Sequence, residues 1–215
     1  MLSQYSDRRS AGEILAGHLQ HYASSPEAIV LALPRGGVPV ASEVARVLQL
    51  PLDVFVVRKL GMPGHEELAL GAIASGGVRV LNEEIIASLK PPWTAIEAVT
   101  RQELTELKRR EELYRAQRPP VELQGRTVII VDDGLATGAT MRAAVAAIRQ
   151  LHAARIVVAV PVAAPDTCAQ FESEVDEIVC PLAPAGFNSV GHWYARFDQT
   201  TDDEVRRLLD AREAR

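Results

Sequence analysis

The 215-residue sequence has only two cysteines, Cys168 and Cys180, and their spacing fits no metal-binding signature. A disulfide-stapled secreted domain and a zinc module are thereby excluded, and two free thiols in a reducing, cytoplasmic setting are expected. Basic residues are outnumbered, 23 Lys and Arg against 28 Asp and Glu, for a net charge of −5. That balance argues against a general nucleic-acid surface. No apolar run is long enough to span a bilayer, and Asp7, Arg8 and Arg9 precede any apolar segment, so neither a signal peptide nor a membrane anchor is expected. Aromatic residues are scarce: two Trp, four Tyr and four Phe. What remains is the composition of a single α/β domain, 47% hydrophobic and 24% charged, large enough to bury a substantial core.

One stretch organises the rest. Residues 128–140 read V-I-I-V-D-D-G-L-A-T-G-A-T. The opening branched run is too short for a buried helix and suits a strand covered on both faces. After Asp132 and Asp133 comes a small-residue loop with Gly134 and Gly138, and from Met141 the apolar spacing turns helical through Val145, Ile148 and Leu151. A strand, a small-residue loop and a helix aim backbone N–H groups at an anion, most often phosphate. Thr137 and Thr140 add hydroxyl donors. The two acids would repel a phosphate beside them, but as acceptors they suit the vicinal hydroxyls of a ribose. Loop and acids together describe a ribose bearing a 5-phosphate. No Lys follows Gly138, so this is not the Walker loop, and the glycine spacing is not the dinucleotide fingerprint.

A second junction has the same form. A buried strand over residues 29–33 runs into Pro34-Arg35-Gly36-Gly37, and a helix follows with Val40, Val44 and Leu48 on its apolar face. Paired glycines let a ligand approach the backbone, and Arg35 can clamp phosphate oxygens, although a plain strand-to-helix turn with a solvated Arg has the same letters. A third strand, residues 52–57, ends at Arg58-Lys59. Gly61, Pro63, Gly64 and the charges up to Glu67 then predict a flexible loop over about residues 58–77, with strand-like pieces at 68–74 and 78–81. Arg58 and Lys59 either reach a ligand or simply end the strand. His65 reads as a solvated loop residue.

These motifs resemble the type I phosphoribosyltransferases, most of all in L-P-R-G-G-V-P-V-A, V-R-K-L-G and D-D-G-L-A-T-G-A-T. The resemblance implies an open, mainly parallel sheet flanked by helices, with a small C-terminal hood over about residues 181–199. It implies that Asp132 and Asp133 hold the ribose of 5-phosphoribosyl-1-pyrophosphate (PRPP), and that Gly134, Leu135, Ala136, Thr137, Gly138, Ala139 and Thr140 hold its 5-phosphate. Arg35, Gly36 and Gly37 would meet the pyrophosphate, with Arg58 and Lys59 reaching it from a basic flexible loop. Mg²⁺ would be held mainly by PRPP, near Asp132 and Asp133 but without a dedicated protein ligand. Activity would be phosphoribosyl transfer to a nitrogenous base in nucleotide metabolism; a PRPP- or nucleotide-sensing regulator on the same fold is the alternative. Enzymes for 6-oxopurines carry an Asp where this chain has Ala136, which argues against hypoxanthine or guanine as the acceptor. An amidotransferase is disfavoured, since no N-terminal Cys nucleophile or second domain is seen.

The remaining segments are largely structural in pattern. Residues 6–22 read as an amphipathic helix with His18 on its packed face, and residues 82–118 as a helical insertion, with a short helix over 82–89 and a long one over 94–118. The long helix has a narrow stripe of Ile96, Val99, Leu104, Leu107 and Tyr114, a possible homodimer contact, among charges of both signs. Strands are expected at 156–160 and 175–180, a helix at 165–171, and a Thr201 cap opening a last helix. Four of the scarce aromatics, Phe187, Trp193, Tyr194 and Phe197, crowd the hood. They either plug the sheet end or stack on a flat acceptor, with Phe187 and Trp193 as the acceptor candidates.

Overall fold

Unbroken branched runs become buried strands, and periodic apolar stripes become the helices that cover them. The computed structural model describes residues 4–116 and 119–211, excepting the side chains of residues 66 and 67. In chain order the elements are α1 (Arg8–His18), β1 (Ala28–Ala32), α2 (Gly37–Leu48), β2 (Leu52–Val54), β3 (Val57–Met62), β4 (His65–Ala74), β5 (Val78–Leu81), α3 (Glu83–Leu89), α4 (Trp93–Arg115), β6 (Thr127–Val131), α5 (Ala139–Gln150), β7 (Arg155–Ala159), α6 (Pro165–Glu174), β8 (Glu177–Val179) and α7 (Asp202–Asp210).

The main sheet has five parallel strands in the order β2-β1-β6-β7-β8. Strand alternation sends Val30, Ala32, Ile129, Val131 and Val157 to one face, where Leu15 of α1, Val44 and Leu48 of α2 and Leu209 of α7 cover them. Ile29, Leu31, Val128, Ile130 and Val158 take the other face, under Met141, Val145 and Ile148 of α5 and Phe171 of α6. Full burial of each such side chain contributes about 1.5–3 kcal/mol, so the two layers supply most of the drive to fold. Chain order reverses between β1 and β6, the topological switch point where open α/β sheets take their ligands. Ala32 lies opposite Val131, and the Leu33 N–H donates to the Val131 carbonyl at 2.9 Å. The segments after β1 and β6 therefore emerge side by side.

The flexible loop expected over residues 58–77 is instead part of a second sheet, in which the strand-like pieces expected at 68–74 and 78–81 fall in β4 and β5. Strands β3, β4 and β5 form an antiparallel meander, with Arg58 opposite Ile73 and Lys59 opposite Ala72. Gly61 and Pro63 read as strand breakers, but the ladder absorbs them: register shifts fall on either side of Gly61, and Gly64 occupies the turn with a φ of 79°. Leu60, Leu70 and Ile73 anchor one face of this sheet against Ile96 and Leu107 of α4. Consequently the predicted 52–57 strand is divided, with Leu52–Val54 in the main sheet and Val57 starting the second.

The helical insertion is two helices as expected, though the end of the predicted 94–118 helix, residues 117 and 118, lies outside the described residues. Its apolar stripe is not a free surface for a second copy: Ile96, Leu107 and Tyr114 are buried within the chain. Arg115, at the end of α4, is buried too, and its Nε donates to both carboxylate oxygens of Asp53 at 3.0 Å while its other nitrogens reach Glu111 and the Val54 carbonyl.

At the N-terminus, Asp7 caps α1 and forms a reciprocal pair with Ser10. The helix is shorter than the predicted 6–22, and His18 is exposed rather than packed. Tyr5 lies along the hood, its N–H donating to the Trp193 carbonyl and its own carbonyl accepting from Ala195. Cys168 and Cys180 are both free thiols. Among the described residues no helix is long and apolar enough to cross a membrane.

Candidate active site

The site grows from the two adjacent strand ends. After β6, Asp132 and Asp133 stand side by side, and Asp132 accepts the backbone N–H of Asp133 on Oδ1 at 2.8 Å. After β1 the Pro34–Arg35 peptide bond is cis, and Gly36 and Gly37 bring the backbone against both acids. The approach is close enough to exclude any side chain. A Cβ on Gly36 would lie 2.2 Å from Oδ2 of Asp133, and one on Gly37 would lie 2.7 Å from the Val131 carbonyl oxygen and 3.1 Å from Oδ1 of Asp132. The paired glycines are thus required by packing, and the two loops form one mouth at the carboxyl edge of the sheet.

Downstream of the acids the small-residue loop is pinned from behind. The Leu135 N–H donates to the Val162 carbonyl and its own carbonyl accepts from Ala164. Thr167 Oγ1 donates to the Ala136 carbonyl at 2.7 Å, and Arg142 donates to the Thr137 carbonyl at 2.8 Å. Arg142 is itself fixed by Glu174 and Gln170 of α6. With the carbonyls occupied, the backbone N–H groups of residues 136–140 donate to no acceptor among the described residues. Thr137 and Thr140 are exposed at the same turn. Gly138 has a φ of 76°, which lets the chain enter α5 there, and a Cβ at this position would meet Phe171 at 2.7 Å. The result is an outward-facing set of donors at a helix N-terminus, suited to a phosphate.

Electrostatics distinguish the two acids. Burial, reinforced by the adjacent Asp133 charge, pushes the Asp132 carboxyl well above the usual carboxylate range. Burial raises Asp133 too, but the Arg8 guanidinium opposes that shift. Arg8 Nε donates to Asp133 Oδ2 at 2.9 Å and its Nη1 to the Asp198 carbonyl at 2.7 Å. Tyr194 donates its hydroxyl to the Asp133 carbonyl.

The other predicted site residues are divided by the structure. Arg35 is partly exposed beside the glycines, its Nη1 4.0 Å from Asp202 Oδ1 on α7. Arg58 and Lys59 do not converge. As neighbours on a strand they face opposite sides of the second sheet. Arg58 turns to α4 and pairs with Glu103 at 2.7 Å, whereas Lys59 lines a cleft of about 640 Å³ that also takes in Ala139 and Thr140 at the start of α5. In the hood, Phe187 and Trp193 pack with Tyr5, Val162 and Tyr194 in a small apolar cluster. The Trp193 indole nitrogen is buried there without a hydrogen-bond partner among the described residues. The exposed hood aromatic is Phe197, whose ring carries the Arg8 guanidinium at 3.9 Å.

A family model for the phosphoribosyl transferase domain matches residues 3–192. The chain belongs to that family. Two curated relatives, each named a putative phosphoribosyl transferase and drawn from two strains of Mycobacterium tuberculosis, are 50% identical over 206 residues. The match takes in 96% of this chain but 46% of theirs, so the chain spans about half the length of those relatives. The crystal structure of TT1426 from Thermus thermophilus superposes with a TM-score of 0.85 at 41% identity, covering 96% of this chain and 97% of that one. The open, mainly parallel sheet flanked by helices is the fold class expected for a phosphoribosyltransferase of type I.

Phosphoribosyl transferase motifs were legible in the strand ends, but the residues that brace them were not. Arg8, Tyr194, Arg142 and Thr167 all touch the acid pair or the phosphate loop. Of these, Arg142 had a local cue, lying four residues beyond Gly138 in the same helix turn.

Proposed function

We propose that the chain is a PRPP-dependent phosphoribosyltransferase that transfers the 5-phosphoribosyl group to a nitrogenous base and releases pyrophosphate. The observation that carries this reading is the contact of Gly36 and Gly37 with Asp133 and Asp132, which merges two anion-facing loops and an acid pair into one mouth. A 5-phosphate would sit on the N–H groups of residues 136–140, with Thr137 and Thr140 beside it, and the ribose hydroxyls would donate to Asp132 and Asp133. Pyrophosphate would then lie over the Gly36–Gly37 backbone with Arg35 at hand. In the reaction the acceptor nitrogen bonds to the anomeric carbon as the bond from that carbon to the pyrophosphate oxygen breaks. The protein's contribution is fixed geometry and donors placed where the leaving group gains charge.

The donor set fits Mg²⁺ arriving with PRPP. No group of three or more His, Cys, Asp or Glu converges among the described residues, and the phosphate oxygens of PRPP are the hard donors this ion takes with few protein ligands. Bound there, it would supply charge neutralisation at the pyrophosphate, next to Asp132 and Asp133. The acceptor is a base other than a 6-oxopurine, on the strength of Ala136 in place of an acid. A cytoplasmic location accords with substrates of this kind.

One observation favours a second reading, a PRPP or nucleotide sensor. Arg58 is committed to Glu103 on the far side of the second sheet, so the basic pair expected to meet the leaving group is split. The two readings separate in a pyrophosphate-release assay with PRPP, Mg²⁺ and a panel of purine, pyrimidine and pyridine bases. Release with one base identifies the transferase and its acceptor class. Tight PRPP binding with no release for any base identifies the sensor.

A further inference from the structure

Arg8 stands outside every motif of the family resemblance, yet it makes the closest ionic contact with the acid pair. It is the first residue of α1, directly after the Asp7 cap, and both ends of its local segment are held. On one side Asp7 pairs with Arg196 of the hood; on the other the Arg8 side chain, only 12% exposed, spans from Asp133 Oδ2 to the Asp198 carbonyl with the Phe197 ring beneath it. Tyr5 adds backbone bonds to residues 193 and 195, and Arg196 donates its backbone N–H to the Ser6 carbonyl. The N-terminal segment and the hood thus form one clasp, which among the described residues meets the Asp133 carboxylate through Arg8.

We propose that Arg8 is a positioning residue of the PRPP site, which holds Oδ2 of Asp133 so that the outward lone pairs of that carboxylate meet the ribose hydroxyls. This inference rests on the PRPP reading of the mouth. Three features support it. The ion pair uses Nε and one oxygen, Oδ2, and leaves Oδ1 with the remaining acceptor sites of the carboxylate. A guanidinium, unlike an amine, is a cation of fixed charge whose planar fork suits a carboxylate. Facing Asp133 are Arg8 from α1, the Gly36 backbone from the loop after β1, Asp132 and a backbone N–H from its own loop, and Tyr194 from the hood. Arg8 is the cation among them, and with that N–H it favours the carboxylate form, whereas Asp132 is an acid and Tyr194 bonds the backbone carbonyl. Two adjacent part-buried acids without a cation would share a proton and offer the ribose one good acceptor instead of two.

The test is PRPP calorimetry with Mg²⁺ between about pH 5 and pH 9 on the full chain, using wild type, Asp133→Asn, Arg8→Met and Arg8→Lys. Wild type must bind and Asp133→Asn must lose about tenfold or more; failure of either defeats the PRPP reading itself and is thereby distinguished from failure of the Arg8 inference. With that established, Arg8→Met is expected to bind weakly at low pH and to recover at high pH, with the acid limb of its affinity displaced upward by about one pH unit or more. Arg8→Lys should return the limb most of the way toward wild type, which a merely structural role would not do. If Arg8→Met does not fold, the limb of Arg8→Lys against wild type and the response of Phe197→Leu, which removes the ring under the guanidinium, decide instead. Unchanged limbs in every variant overturn the inference. So does tighter PRPP binding by Arg8→Met, which would make Arg8 a competitor for Asp133 rather than its support.

Discussion

Gly36 and Asp133 are packed so closely that the missing side chain of one is the space occupied by the carboxylate of the other, 2.2 Å from where a Cβ would be. Gly36→Ala must therefore move either the acid or the loop. Overpacking of this kind costs about 1–3 kcal/mol. The expected outcome is a lowered melting temperature together with PRPP affinity reduced at least tenfold. Thermal melts and calorimetry on the same preparation check it; wild-type affinity in a folded Gly36→Ala protein would mean that the two loops do not share a ligand.

The acid pair should destabilise the ligand-free protein at neutral pH. Asp132 titrates above its ordinary value of 3.8 because burial and Asp133 disfavour its charge. A raised carboxyl holds its proton more tightly in the folded state, so its stabilising contribution is full below 3.8 and is lost as pH rises through the raised value. Asp132→Asn removes that penalty. Melting curves should show the variant above wild type at about pH 8, with the gap closing toward pH 4, at roughly 2–4 °C for each kcal/mol recovered. A gap that widens in acid would mean that burial and Asp133 do not raise the Asp132 carboxyl.

Lys59 and Arg58 should behave differently despite their adjacency. Lys59 faces the cleft beside Thr140, whereas Arg58 is bonded to Glu103 on the α4 side. Lys59→Ala is expected to slow pyrophosphate release, while Arg58→Ala and Glu103→Gln should mainly lower stability, each by about 1 kcal/mol or less for a partly exposed pair. A larger kinetic loss in Arg58→Ala than in Lys59→Ala would show that the second sheet rearranges to bring Arg58 to the leaving group.

The hood offers a comparable contrast. Trp193 is built into the cluster around Tyr5 and Tyr194, and Phe197 is the exposed ring. Trp193→Leu should depress the melting temperature with little change in the Michaelis constant of the acceptor, and Phe197→Leu should do the opposite. Base stacking on an aromatic ring is worth roughly 1–3 kcal/mol, enough for about a fivefold rise in that constant or more. Steady-state kinetics with the acceptor found in the release screen check both.

What was legible in the sequence was local. The run before Asp132, the acids, the loop glycines and the helical spacing after Met141 all lie within one strand-loop-helix unit, whose geometry follows from side-chain shape alone. The same holds for the Pro34 to Gly37 junction. Two strands of the second sheet were legible at 68–74 and 78–81, but its first strand and hairpin were missed because Gly61, Pro63 and Gly64 are turn residues by propensity, and only pairing with β4 and packing on α4 override them. Arg8 was missed for a different reason. Its partner lies 125 residues away, and nothing in an Asp-Arg-Arg start distinguishes a guanidinium that meets an acid pair from one in solvent. Trp193 shows the same limit, since an aromatic on a loop has the same spacing whether it plugs a core or waits for a base.

The central claim is that Asp132, Asp133 and the loops around them bind the ribose and phosphates of PRPP. Calorimetric titration of Mg-PRPP into wild type and into the Asp132→Asn/Asp133→Asn double variant tests it directly. Each lost charged hydrogen bond should remove about 1.5–3 kcal/mol, so wild type should bind and the folded double variant should bind at least about a hundredfold more weakly. Equal affinity in the two proteins would contradict the account.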